Sequence, residues 1–236
     1  MARLSPAAAA ALLAVLAAAT VAGSAWLRLS YYVPATLLVA YALVPSLAGF
    51  ERGGASAKQV ALVAALCALA VASRAAFAFV PHFKPMAAVV ICAGIACGGR
   101  TGFLVGALGM LASNLMFGQG PWTPWQMLAY GLCGLAFGAL AERGAVPRGA
   151  WSGRQRLAIS VGGGLLVALV AGPILDTSSL LIFTGRGITP ASALAVYAAG
   201  LVPNAMQGIA TTATLLLAGS ALVGMIGRVR QRHGIP

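Results

Sequence analysis

Runs of about twenty apolar residues, parted by short gaps that carry most of the charge, leave this chain few ways to fold. A helix of about 20 residues crosses roughly 30 Å of hydrocarbon because all its backbone polar groups bond internally. Eight segments reach or approach that length: 7–25, 33–49, 58–80, 85–99, 101–117, 122–141, 157–183 and 191–226. With 61% hydrophobic and 8% charged residues and a mean hydropathy of +0.95, nearly every stretch is too apolar to stand in water. The expected fold class is therefore an all-α integral membrane protein, with the lipid bilayer as its solvent. Segments 85–99 and 101–117 together would make one helix of 33 residues, too long for a bilayer, and Gly98-Gly99-Arg100 predicts a tight reversal between them.

Fifteen Lys and Arg stand against three acids, Glu51, Glu142 and Asp176, giving a net charge of +12. Taken alone, that excess would fit nucleic acid. Its position argues otherwise: the cations sit in the gaps between spans, where they meet anionic headgroups, so no nucleic-acid partner is expected. Counted alternately along eight spans, eleven basic residues fall on one side and three, Arg28, Lys84 and Arg186, on the other, with Arg74 inside a span. The bias predicts a multi-pass plasma-membrane protein with both termini in the cytoplasm. The first span, with its basic start and Gly23-Ser24-Ala25, also fits a cleavable secretory signal, and cleavage would leave the remaining topology unchanged.

Chemistry-bearing residues are scarce. Cys67, Cys92, Cys97 and Cys133 lie inside apolar runs without CxxC spacing, and the two histidines, His82 and His233, stand apart, so neither a metal site nor a cofactor is expected. No carboxylate pair, Ser-His-Asp set or HExxH is present, and the single acid within the later spans is too little for proton pumping. Gly94 to Thr101 mimics a phosphate-binding loop with Arg100 in place of the lysine, but the motif needs a strand before it and free amides within it. An enzyme is excluded on these grounds, and any ATP hydrolysis is assigned to other chains.

Two patterns remain. Alanines at four-residue spacing, Ala57, Ala61 and Ala65 on one register and Ala64, Ala68 and Ala72 on another, give segment 58–80 a smooth face of the kind that lets helix backbones approach in lipid. An alanine-rich composition would also scatter such residues without purpose. Gly94, Gly98, Gly102, Gly106, Gly134 and Gly138 speak for close packing within the bundle. Polar residues gather toward the predicted outer face: Arg74 and Lys84, then Asn114, Gln119, Trp122, Trp125, Gln126 and Tyr130, then Asp176 to Ser179 with Arg186, then Asn204 and Gln207. Ionisable groups in a span usually face a cavity or a partner, so these residues form the candidate substrate pocket. Interfacial anchoring competes for Trp122 and Trp125, snorkelling for Arg74, and pairing with Arg74 or Arg186 for Asp176.

The run Gly102-Phe103-Leu104-Val105-Gly106-Ala107-Leu108-Gly109, then Ser113-Asn114, then Phe117-Gly118-Gln119-Gly120-Pro121-Trp122-Thr123-Pro124-Trp125-Gln126-Met127 resembles the S component of an energy-coupling factor vitamin importer. Lys84-Pro85 and Gly200-Leu201-Val202-Pro203-Asn204 carry the likeness from about Lys58 to the C-terminus. Six spans fall there, as in the family's core, which divides the chain into two extra N-terminal spans (1–52) and a six-helix core (53–236). The resemblance implies a subunit that captures a vitamin from outside and joins a T transmembrane subunit driven by two ATP-binding subunits. It also implies that the alanine face meets the T subunit and that the outer polar cluster grips the substrate. The Gly118-to-Gln126 stretch is most similar to cobalamin-linked S components, while related ones carry riboflavin, thiamine, folate, biotin or queuosine precursors. A stand-alone secondary transporter is the rival reading, and the internal repeat it would need is not visible.

Overall fold

The computed structural model describes residues 56–184 and 187–235 and, before them, Val15 and Leu37 alone. The two N-terminal spans and Arg186 lie outside the described residues. Six helices, and no strand, make up the described part: α1 Ala57–Ala76, α2 Met86–Cys97, α3 Gly99–Phe117, α4 Thr123–Glu142, α5 Gly153–Thr184 and α6 Pro190–Arg232. Among the described residues, α1, α3, α5 and α6 are each long and apolar enough to cross a membrane. An all-α membrane architecture follows directly from that composition.

Helix starts are written locally. Ser56 Oγ accepts from the Gln59 amide while Gln59 Oε1 accepts from the Ser56 amide, and Ser152 with Gln155 repeats the exchange at α5. That second box draws Arg154 and Arg156 into the helix and starts α5 four residues before the hydrophobic pattern (157) does. At the other end, α6 runs to Arg232, six residues past the apolar limit at 226. Its 43 residues extend about 65 Å, twice the hydrocarbon thickness, so its last turns stand beyond the membrane.

α2 organises the rest. Its twelve residues rise only about 18 Å, and every position from Met86 to Ala96 is buried, because α1, α3, α4 and α6 surround it. A helix too short for lipid is stable here because protein encloses it. Gly98, at φ 94°, makes the predicted reversal into α3. Glu142 Oε1 accepts from the Gly99 amide at 2.8 Å and satisfies the start of α3, while Arg230 donates to the Ala96 carbonyl near the end of α2. Lys58 Nζ reaches the His233 carbonyl at 3.1 Å, tying the start of α1 to the end of α6.

α2, α3 and α4 touch backbone to backbone. A Cβ on Gly94 would strike the Gly134 carbonyl, one on Gly134 would strike the Gly102 backbone, and one on Gly102 would lie 2.5 Å from Gly94 Cα. In lipid, where burial of apolar surface does not drive helices together, such contact is the main source of association. The glycines foreseen as packing residues thus form one three-helix seam, with Gly138 against Gly99 below it. α5 and α6 pair in the same way, through Gly164 against Gly208 and Thr212.

Candidate functional site

The end of the bundle that carries the α1–α2, α3–α4 and α5–α6 connections gathers the polar residues. Arg74, in the last turn of α1, turns inward. Its Nη1 donates to Ser113 Oγ at 2.9 Å and Asn114 Oδ1 at 2.9 Å, lies 3.2 Å from Met110 Sδ, and its guanidinium sits 4.8 Å from the centre of the Phe117 ring. Asn114 is fully buried and passes the chain on: its Nδ2 donates to Thr123 Oγ1 at 3.0 Å and to Gln126 Oε1 at 2.7 Å. Thr123 Oγ1 donates to Gln119 Oε1 at 2.9 Å, and Gln119 Nε2 donates to the Leu111 carbonyl at 3.0 Å. α1, α3, the 118–122 turn and α4 are thereby held by one continuous network.

That network ends at a recess. About 240 Å³ lies between Trp122 and Gln126 of α4 and Leu175, Ser178, Ser179, Ile182 and Phe183 of α5. The α5 wall is a stripe at positions i, i+3, i+4, i+7 and i+8, one face of a helix. Polar and apolar groups share its wall about equally, with Trp122 and Phe183 exposed at the rim, and a small-molecule site likewise sets a few polar groups among apolar ones.

The other candidate residues take distinct places. Lys84 Nζ caps carbonyls of the α1 terminus and following turn, Phe77 at 3.0 Å, Ala78 and Val80 at 3.4 Å. Partial burial, and then the nearby charge of Arg74, hold its ammonium below the usual lysine range. Trp125 is buried, its indole N–H without a partner among the described residues. Tyr130 donates to Gln207 Oε1 at 2.8 Å, joining α4 to α6. Asp176 does not pair with Arg74: among the described residues Asn204 Nδ2 donates to its Oδ2 at 2.7 Å, with Asp176 lying over Gly200 and Asn204 over Gly172. Of the eleven candidates, then, Trp122 and Gln126 line the recess, and Arg74, Asn114 and Gln119 support Gln126 from behind. Leu175, Ile182 and Phe183 were not foreseen. Their signal in the sequence is the helical spacing of large apolar residues around the adjacent hydroxyls Ser178 and Ser179, themselves members of the polar cluster.

On α1, Val63, Leu66, Cys67 and Ala70 are buried, whereas Ala57, Ala61, Ala64, Ala65, Ala68 and Ala72 are all exposed. At 100° per residue those six alanines span an arc of about 100°, on the side away from the core.

A family model described as ECF-type riboflavin transporter, S component, matches residues 54–223. The chain belongs to this S-component family. Neither the curated proteins nor the solved structures give a match. The family match begins two residues before the Ser56 cap of α1 and runs into the last third of α6, so it takes in the recess, its supporting network and the alanine face together. An S component is a substrate-capturing part of a membrane transporter, not an enzyme, which agrees with the lack of catalytic groupings in the sequence.

Proposed function

We propose that this S component captures a vitamin in the recess between α4 and α5 and delivers it by docking, through the alanine face of α1, onto a T subunit powered by two ATP-binding subunits. The recess carries the reading, because the family motif supplies Trp122 and Gln126 to its wall. The recess end faces outward in this reading. Supporting that orientation, the far end holds Lys58, Arg100, Arg143, Arg148, Arg154 and Arg156 with the basic end of α6, while outside the spans the recess end offers Lys84 among the described residues.

The proposed vitamin is cobalamin, on the likeness of Gly118 to Gln126 to cobalamin-linked S components. A corrinoid exceeds the drug-sized ligands that fill about 300–1,000 Å³. It would sit over the mouth with one edge inserted, widening the recess from its 240 Å³. Riboflavin is the second reading, favoured by the description of the matching family and by a recess closer in size to a flat tricyclic ring.

Denaturing the purified protein and identifying the released small molecules by mass spectrometry, then titrating with cyanocobalamin and with riboflavin, tests the assignment. One of the two is expected to bind, and Trp122→Ala to weaken it at least about tenfold through loss of a stacking wall. Release of no vitamin and binding of neither would overturn the reading, as would full-rate uptake by the chain alone in liposomes.

A further inference from the structure

We infer that Gln126 meets its ligand as a hydrogen-bond donor, its amide orientation dictated by Arg74 through Asn114, so that the recess selects a carboxamide or imide edge. The inference rests on the recess being the substrate site, as proposed above. Which end of an amide is oxygen and which is nitrogen is ordinarily settled by its hydrogen-bond partners, and here the partners settle it twice. Arginine has no acceptor, so the atom of Asn114 that faces Arg74 must be Oδ1, leaving Nδ2 to face Thr123 and Gln126. From the opposite end, the Leu111 carbonyl accepts only, so Gln119 must present Nε2 to it and Oε1 to Thr123. The one hydroxyl hydrogen of Thr123 is thereby spent on Gln119, and Thr123 can only accept from Asn114. Both routes give the same polarity.

Gln126 must then turn Oε1 to Asn114, and Nε2 is what remains for the recess that Gln126 lines. Among the described residues that Nε2 carries no hydrogen bond. Across the recess, Ser179 donates its hydroxyl to the Leu175 carbonyl at 3.1 Å, which leaves lone pairs to accept, while the Ser178 hydroxyl makes no bond among the described residues. A donor on α4 thus opposes an acceptor on α5. The complementary ligand group carries a carbonyl oxygen beside an N–H, as in the imide edge of a flavin ring or the carboxamide arms of a corrin.

Asn114→Asp tests this without changing shape. The aspartate still accepts from Arg74 but has no hydrogen to give, so Gln126 must flip and donate Nε2 to it, turning oxygen to the recess. Side-chain amide hydrogen exchange, read by NMR on the ligand-free protein in detergent, is expected to be fast for Gln126 in the wild type and slowed in Asn114→Asp. Slow exchange of Gln126 in the wild type, or no change on substitution, would overturn the inference whatever the substrate. Titration gives the second arm: Asn114→Asp and Gln126→Glu should each weaken the vitamin that binds by about tenfold, cyanocobalamin in the corrin case and riboflavin in the flavin case. Unaltered affinity in both variants would also overturn it. Should the wild type bind neither compound, the function proposed above falls, and the exchange experiment still decides the orientation of Gln126.

Discussion

Gly134→Val is expected to leave no folded bundle to purify. The residue sits where α2, α3 and α4 converge, and its missing Cβ faces the Gly102 backbone while its own carbonyl oxygen faces Gly94. Overpacking a core usually costs about 1–3 kcal/mol because side chains shift to absorb it. Here the colliding atoms are main chain on two other helices, and no rotamer relieves them. Moving α3 away would also pull Gly102 from Gly94 and Gly106 from the Tyr130 carbonyl, so one added side chain opens the whole seam. The cost should therefore reach or exceed the top of that range. Size-exclusion profiles and thermal melts in detergent check it, with Gly162→Ala as comparison, since a Cβ there meets nothing nearer than Phe137 at 3.8 Å. Wild-type melting of Gly134→Val would mean that the helices are not held by backbone contact.

That seam also shows how far the sequence could be read. Glycines at four-residue spacing announced close packing, and Gly98-Gly99-Arg100 announced the reversal, because both depend on local geometry that glycine alone permits. The Ser152 and Gln155 cap was equally local, yet the hydrophobic pattern, which marks where lipid begins, placed the start of α5 too late. Non-local pairings were a different matter. The sequence offers Arg74 as a partner for Asp176, whereas among the described residues its partner is Asn204, reached because Gly172 and Gly200 let α5 and α6 come close enough for both side chains to fit between them. From its place in the sequence Arg74 fits either a pocket wall or a snorkelling cation. Its inward turn to Ser113 and Asn114 depends on how α1 rotates against α3, which no spacing within either helix encodes. Polar residues at one end of the bundle were therefore legible as a group, and their division into recess walls and supporting network was not.

Ala65→Trp and Ala68→Trp are each expected to abolish co-purification with the T subunit and ATPases while leaving vitamin affinity within about twofold. Among the described spans α1 has the smallest buried share: 17% of its apolar window is buried, against 56% for α3. Lipid alone does not require a smooth face, since large aliphatic side chains meet acyl chains just as well, so the alternative to a partner is the chain's alanine-rich composition. A smooth face does serve a second protein, because small side chains let a partner helix approach to backbone distance and gain dispersion along its length. Val60 and Leu69, both exposed, border the alanine arc and would give that partner its lateral register. An indole in the middle of the arc would hold the partner off by several ångströms, more than helix tilting recovers over so short a contact. The recess, lined from α4 and α5, lies on other helices, so the two effects should separate in the same preparation. Equal loss of assembly and of vitamin binding would show that these alanines pack within the chain itself and that docking uses a different surface.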